Sequence, residues 1–315
     1  MIDWRPTAAR ATLERRAQML TSARRFFADR NVLEVDTPIV VHATVTDVHI
    51  ESARVELSNA PGYFLHTSPE YAMKRLLAAG SGDIYQVCHV ARGFERGRIH
   101  NCEFTLIEWY RTGFSLAQLM SEVEELSNAL LGRVAAERLT YREAFLQHLR
   151  LDPFAATDSQ LAEAARGFGY QSVGAASRDE WLEFLMATQV GPKLGLGRQT
   201  FIHGYPASQA ALARLDPHDP RAALRFELYH EGVELANGFH ELASAAEQRR
   251  RFETDLAERH RLGLPSYPLD ERLLAALEAG LPDCAGVALG FDRLLMLATH
   301  ARSIEEVLAF PTELA

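Results

Sequence analysis

Glu234-Leu-Ala-Asn-Gly-Phe-His-Glu241 sets two acids, an amide and an imidazole among apolar and small residues, a few positions after a third acid, Glu227. The run reads as the interior of a β-sheet, where charged groups are costly unless something pairs with them. A divalent cation and a substrate ammonium are the natural partners for such a set. The stretch points to an enzyme that holds metal-bound phosphates beside an amine-bearing molecule.

Working outward, Gly286-Val-Ala-Leu-Gly-Phe-Asp-Arg-Leu-Leu-Met-Leu297 reads as a strand over Val287–Leu289 that turns at Gly290 into a helix from Phe291 to Thr299. Gly290 lets backbone or ligand approach closely. Arg293 sits one turn into this otherwise apolar helix, and a guanidinium there needs an anion. Asp292 or another acid would make a structural ion pair; a nucleotide phosphate would make a functional one. A second arginine-bearing segment, Arg92-Gly-Phe-Glu-Arg-Gly-Arg98, favours phosphate. Such a loop is ordinarily a solvated turn. Here, however, Asn101-Cys-Glu-Phe-Thr-Leu-Ile-Glu-Trp-Tyr110 follows at once, with Glu103 and Glu108 inside an aromatic strand.

The remaining pattern alternates helix and strand. Leu13 to Asp29 is read as an amphipathic helix with Leu13, Ala17, Leu20 and Phe27 on its apolar stripe and Asn31 as terminator. Val32–Val35 reads as a strand broken by Thr37-Pro38. Two β-rich runs between Ile50 and Leu65 meet at the turn signal Asn59-Ala-Pro-Gly62. Ser68 to Ala79 is a helix with Ser68 as N-cap, Pro69 at the first position and Glu70 in the first turn. Ile84–Val90 and Glu103–Tyr110 are expected to pair as strands, and Leu116–Leu131 to form a helix. About 140–200 reads as an inserted helical subdomain. Phe201–His203, Arg225–Tyr229 and Gly232–Asn237 resume as strands, followed by a charged helix over Ser244–Leu262. The expected architecture is a single α+β domain, residues 1–315, around an antiparallel sheet flanked by helices.

Composition narrows the class. A 47% hydrophobic fraction with no apolar run of about 18 residues argues for a protein that does not enter a membrane. No secretory signal opens the chain. Cys88, Cys102 and Cys284 match neither a zinc pattern nor a disulfide framework and read as small core residues, in keeping with a cytoplasmic protein. The net charge of −9 gives no support to nucleic-acid binding.

Three segments in order resemble the class II aminoacyl-tRNA synthetases: Phe26-Phe-Ala-Asp-Arg-Asn-Val-Leu-Glu-Val-Asp-Thr-Pro38, Arg92 through Tyr110, and Gly286 through Leu297. The resemblance covers nearly the whole chain and is closest to the lysyl-tRNA synthetases. Those enzymes carry an anticodon-binding barrel before the first motif, and the lead before Leu13 is too short for one. Together with Tyr205-Pro-Ala-Ser-Gln209 and Asn237-Gly-Phe-His-Glu-Leu242, the motifs resemble the truncated paralogues that lysylate elongation factor P.

The resemblance implies ATP and Mg²⁺ as cofactors, lysine or (R)-β-lysine as substrate, elongation factor P rather than tRNA as acceptor, and a homodimer built on the first helix and the Pro38 strand. It implies that Arg92 contacts the α-phosphate and the amino-acid carboxylate, His100 and Asn101 hold a bent ATP, and Arg293 binds its γ-phosphate. Glu227 and Glu234 would coordinate Mg²⁺, while Leu235 and Gly290 touch ATP through backbone. Ser68, Pro69, Glu70, Glu108, Tyr110, Asn237, Phe239 and Glu241 would form the lysine pocket. Two sets of acids suit the two ammonium groups of lysine, and an analogue lacking one leaves an acid unpaired. Ala288 stands where lysyl-tRNA synthetases have Gly, which would reshape the pocket for the β-isomer. The family's second-motif acid is displaced by one position here, and Glu95 is expected to take its role. Rival readings are a minimal tRNA-charging enzyme and a non-catalytic paralogue that regulates.

Overall fold

A computed structural model describes residues 4–57, 60–93, 96–171 and 176–315. Its centre is an eight-stranded sheet formed by β1 (Leu33–Glu34), β5 (Ile84–Ala91), β6 (Glu103–Thr112), β7 (Ala136–Thr140), β8 (Gln199–Pro206), β9 (Ala222–His230), β10 (Val233–His240) and β11 (Cys284–Gly290). The spatial order is β1-β5-β6-β11-β10-β9-β8-β7, and a separate three-stranded sheet runs β2 (Val40–Val41), β4 (Ala60–Leu65), β3 (Arg54–Leu57). The helices are α1 (Arg10–Ala28), α2 (Glu70–Ala78), α3 (Leu116–Leu131), α4 (Tyr141–Leu149), α5 (Asp158–Gly167), α6 (Arg178–Leu185), α7 (Ala245–Arg261), α8 (Glu271–Gly280) and α9 (Phe291–Thr299).

The interior of the large sheet is antiparallel, as the sequence suggests, but both edges are parallel: β1 runs with β5, and β7 with β8. Parallel neighbours need a crossover. The α4–α6 segment is the crossover between β7 and β8, and it buries its own core of Tyr141, Phe145, Leu161 and Leu185 against Ile202, Tyr205 and Tyr229. The tight β9–β10 hairpin turns through Glu231 and Gly232, both at positive φ (49° and 70°). That pair gives the type I′ geometry whose twist suits a two-residue hairpin. Gly232 therefore belongs to the turn rather than to the strand expected from it.

One face of the sheet is covered by α1, α3 and α9, with Phe27, Trp109, Leu119, Val123 and Leu294 in the main core. The helix-period expectation for α1 needs a correction. Its buried residues are Met19, Ala23, Phe26 and Phe27, whereas Ala17 is exposed and Leu13 and Leu20 are only half-buried. Asn31 ends the segment in the left-handed region at φ 54°, which Asn tolerates through its short polar side chain. Of the turn expected at Asn59–Gly62, Asn59 lies outside the described residues, and Ala60–Gly62 belong to β4, with Leu57 paired to Ala60.

Residues at the two ends of the chain meet. The Thr7 and Ala8 amides donate to Ala309 and Leu308, and Ile304 N–H donates to the Arg98 carbonyl. No helix among the described residues is long and apolar enough to cross a membrane.

Candidate active site

β6 carries Glu108 and Tyr110 two residues apart, so both leave the sheet on one face while Ile107 and Trp109 enter the main core on the other. In register, Ala288 of β11 lies opposite Glu108, and Gly286 opposite Tyr110. Next along, Asn237 of β10 faces Ala288, and Phe239 faces Gly286. Three strands thus lay one floor. Gly286 is required there, because an added Cβ would sit 2.2 Å from the Tyr110 ring and 2.6 Å from a Glu241 oxygen.

The floor opens into a cavity of about 620 Å³ whose wall includes Ser68, Pro69, Glu70, Arg92, Glu108, Tyr110, Asn237, Phe239 and Glu241. The sequence expectation had put all of these but Arg92 in one pocket, and the fold brings the nine together. Ser68, expected as the N-cap with Pro69 at the first helical position, lies one place before the N-cap, which is Pro69. α2 begins at Glu70, whose N–H donates to Ser68 Oγ at 3.0 Å. Ser68 Oγ in turn donates to Glu108 Oε2 at 2.7 Å, and the Tyr110 hydroxyl to Oε1 at 2.8 Å. Both partners are neutral. Burial, reinforced by Glu70, pushes the Glu108 carboxyl up to about 8 against the pull of those two hydrogen bonds. Glu241, 2% exposed, is pushed up to about 7 by burial, against the pull of Lys74. Among the described residues no group donates to Asn237 Oδ1.

Lys74 was not singled out from the sequence. Its ammonium is buried at 2.7 Å from Glu70 and 2.6 Å from Glu241. Burial works against that charge, but Glu241 and Glu70 outweigh it and hold the pKa above the ordinary lysine value. The available signal was the i,i+4 spacing from Glu70 on a face shared with the apolar Met73 and Leu77.

Beside the cavity, Arg92 borders both regions, its guanidinium 5.1 Å from the Phe104 ring and its Nε donating to the Thr67 carbonyl at 3.4 Å. Arg293 links its own segment to the Arg92–Tyr110 segment and to the Glu234–Glu241 stretch. It donates to the Glu234 carbonyl at 2.9 Å, to the Ile99 carbonyl at 3.3 Å and to His100 Nε2 at 2.7 Å, with the Glu234 carboxylate 3.6 Å away. Asp292 is not its partner. That acid pairs with Arg16 at 2.5 Å and accepts from the Thr105 amide at 2.7 Å.

Glu234 faces the same cleft, its pKa raised first by burial and then by Glu227, with Arg293, Arg225 and Arg92 opposing. Glu227 itself accepts from Arg225 at 2.6 Å and from the Tyr229 hydroxyl at 2.7 Å, so both of its oxygens already have donors. Arg225 is a second residue the sequence reading passed over. Asn101 is engaged otherwise than expected: its amide donates to the Glu103 carbonyl at 2.6 Å and to Thr312 at 3.0 Å, tying the loop to the chain's last residues. Leu235 is buried, and its carbonyl lies 3.7 Å from where a Cβ on Gly290 would stand. Glu95 lies outside the described residues.

The cysteines depart from the expectation of core burial. Only Cys284 is buried, and Cys88 and Cys102 are half-buried. Burial raises the thiols of Cys88 and Cys284, so neither is primed as a nucleophile.

An acid-lined pocket, an arginine at its edge and a second arginine in the first turn past a strand–helix junction together match the fold class that the sequence motifs resemble. Residues 1–314 match the family model of class II tRNA synthetases (D, K and N), and the chain belongs to that family. Among its relatives is the elongation factor P--(R)-beta-lysine ligase of Edwardsiella ictaluri, 50% identical over 323 residues that cover 100% of this chain and 99% of the relative. The proteins of the same name in Vibrio cholerae and Salmonella typhi are 50% and 49% identical, each covering 98% of the relative.

Proposed function

We propose that this chain is an ATP-dependent, AMP-forming ligase. It activates (R)-β-lysine or lysine as an aminoacyl-adenylate and passes the acyl group to a lysine side chain of elongation factor P. The observation that carries the reading is Glu108: a buried carboxylate that receives only neutral hydroxyls, at the edge of a cavity that also holds Glu70 and Glu241. Such a group calls for a cation from outside the protein. The full-length likeness to ligases of that name supports the choice of amino acid and acceptor.

In this reading Ser68, Pro69, Glu70, Glu108, Tyr110, Asn237, Phe239 and Glu241 hold the amino acid by its two ammonium groups. Arg92 holds its carboxylate against the α-phosphate. Arg293 and His100 take the outer phosphates. Leu235 and Gly290 supply backbone: Gly290 has φ −72°, and a Cβ there would meet only ordinary contacts at 3.7 and 3.8 Å. The fold does not demand glycine at that point, which leaves close approach by ATP as its reason. Asn101 serves one step removed, by fixing the loop.

The substrate carboxylate attacks the α-phosphate and releases pyrophosphate. The acceptor amine then attacks the adenylate carbonyl and expels AMP. The protein contributes positioning and preorganised positive charge, and its own groups form no covalent intermediate.

Glu234 lies beside Glu227 with 39% of its side chain open to solvent and the Arg293 guanidinium 3.6 Å away. It suits a Mg²⁺ that keeps phosphate and water as its main ligands, with Glu227 joining only if Arg225 releases an oxygen. The ion would supply charge neutralisation on the phosphates. A homodimer through α1 and the segment around Pro38 is supported by the outward-facing Leu33 and Ile39, 56% and 41% exposed. The free thiols suit a cytoplasmic protein.

The deciding experiment mixes purified protein, ATP and (R)-β-lysine with elongation factor P and, separately, with tRNA. A mass gain of one lysyl unit on the protein acceptor is expected. Charging of tRNA with an unchanged protein mass would replace this reading with that of a minimal tRNA synthetase.

A further inference from the structure

We infer that Lys74 is a built-in counter-ion that sets the amino-acid pocket to an excess of two negative charges, and so selects substrates bearing two ammonium groups. The inference rests on the reading of the cavity as an amino-acid pocket. Three carboxylates face it, those of Glu108 and Glu241, which are 1% and 2% exposed, and that of Glu70 at the start of α2, whose side chain is 15% exposed. Three uncompensated acids would ask for a trication. Lys74 cancels one of them.

Its placement supports this role over simple packing. The ammonium sits between Glu70 and Glu241 rather than against either alone, at 2.7 and 2.6 Å, so neither acid is wholly consumed. Glu108 lies beyond its reach and is met by hydroxyls only. The substrate carboxylate adds one negative charge, which Arg92 at the cavity edge answers. With a diamino acid bound, the charges therefore sum to zero. With a monoamino acid, one buried carboxylate stays unpaired, which is costly. The charged and titratable groups facing the ion pairs from other elements are Tyr110 of β6, Cys284 of β11 and Arg214 before β9. Lys74 is a positioning residue in this account, since it touches the acids and not the reacting atoms.

The test compares amino-acid-dependent ATP–pyrophosphate exchange, and calorimetric binding in buffers of different ionisation enthalpy, for wild type and four variants. Lys74→Met is expected to raise KM for the diamino acid at least tenfold at pH 7.5 with kcat within about threefold of wild type. Its binding releases one more proton, because the acid left without a partner takes one up beforehand. Lys74→Arg restores affinity. The decisive comparison remains open even if K74M does not fold. Glu241→Gln alone leaves an excess of one negative charge, and adding Lys74→Met to it returns the excess to two. The double variant is expected to bind the diamino acid more tightly than E241Q. Equal or weaker binding by the double variant, or an unchanged proton count in a folded K74M, overturns the inference. A wild-type protein inactive with both lysine and (R)-β-lysine would instead overturn the reading of the pocket itself.

Discussion

At the scale of single residues, Glu108 sets the behaviour of the empty site. Its carboxyl titrates near 8 and that of Glu241 near 7 in the folded protein, and both must be ionised to receive ammonium groups. KM for the amino acid is therefore expected to fall as pH rises from 6 to 8.5, with kcat nearly flat, in exchange assays. Glu108→Gln should raise that KM by roughly 10–150-fold, the worth of a charged hydrogen bond of about 1.5–3 kcal/mol. The same substitution carries an opposite effect on stability. A pKa raised above the unfolded value of about 4.3 means that the native state holds the proton longer, so stability is lost as pH rises toward 8. Ligand-free E108Q should melt at a higher temperature than wild type at pH 8, with the gap closing toward pH 5. Two glycines separate fold from function in the same way. Gly286→Ala drives a Cβ into the Tyr110 ring and is expected to cost about 1–3 kcal/mol in denaturant titration. Gly290→Ala should leave stability unchanged and raise KM for ATP about tenfold. Glu108 was legible as an acid inside an aromatic strand and Tyr110 through the family resemblance, whereas Glu103, read in the same way as Glu108, is exposed at the strand's start and pairs with His89. Lys74 and Arg225 were not legible, because an ion pair closed by residues far away in sequence looks, locally, like an ordinary helix or strand position.

At the scale of elements, α7 is the brace of the cavity's outer wall. Buried Arg259 donates from its Nε to the Pro265 carbonyl at 2.8 Å and from one terminal nitrogen to the carbonyls of Asp47 and Ile50 at 2.7 and 3.2 Å. The 42–50 segment it grips lines the cavity, and Thr46 adds a hydrogen bond to Asp255 of the same helix at 2.8 Å. Arg259→Met should destabilise the protein by about 2–4 kcal/mol. It should also speed hydrogen exchange at residues 44–52 before any change appears in the α4–α6 segment. The central strands, α3 and the strand–helix passage β11–α9 were readable because each carries its period, its cap or its turn within a dozen residues. α8 had its signals too, with Asp270 accepting from the Arg272 and Leu273 amides, and was passed over. β7 had none: Ala136-Glu-Arg-Leu-Thr140 becomes a strand only because β8 lies alongside it. The apolar face of α1 was only partly read for a related reason. Of the expected stripe Leu13, Ala17, Leu20 and Phe27, the core covers Phe27 and part of Leu20, and it adds Met19, Ala23 and Phe26. The exposed Leu33 and Ile39 just beyond the helix are where a second copy is expected to dock. Light scattering should give twice the chain mass, and Leu33→Glu with Ile39→Glu should halve it.

At the scale of the whole molecule, fold class followed from the order of three distant segments, and the structure explains why that order is informative. Arg293 of the third segment touches Ile99 and His100 of the second and Glu234 of the stretch between them, while Arg16 of α1, the helix that runs into the first segment, pairs with the neighbouring Asp292. The parallel edges were not legible, since nothing local marks the direction in which a crossover returns. The residues after α9 add a constraint of another kind. Thr312 and the Ile304 amide hold Asn101 and Arg98 in place, across sequence separations of 211 and more than 200 residues. During synthesis, the clamp on the phosphate-side loop can therefore close only after the residues beyond α9 have left the ribosome. A copy cut off shortly after Leu297 would lack both that clamp and Ile304 and Val307, which the main core buries.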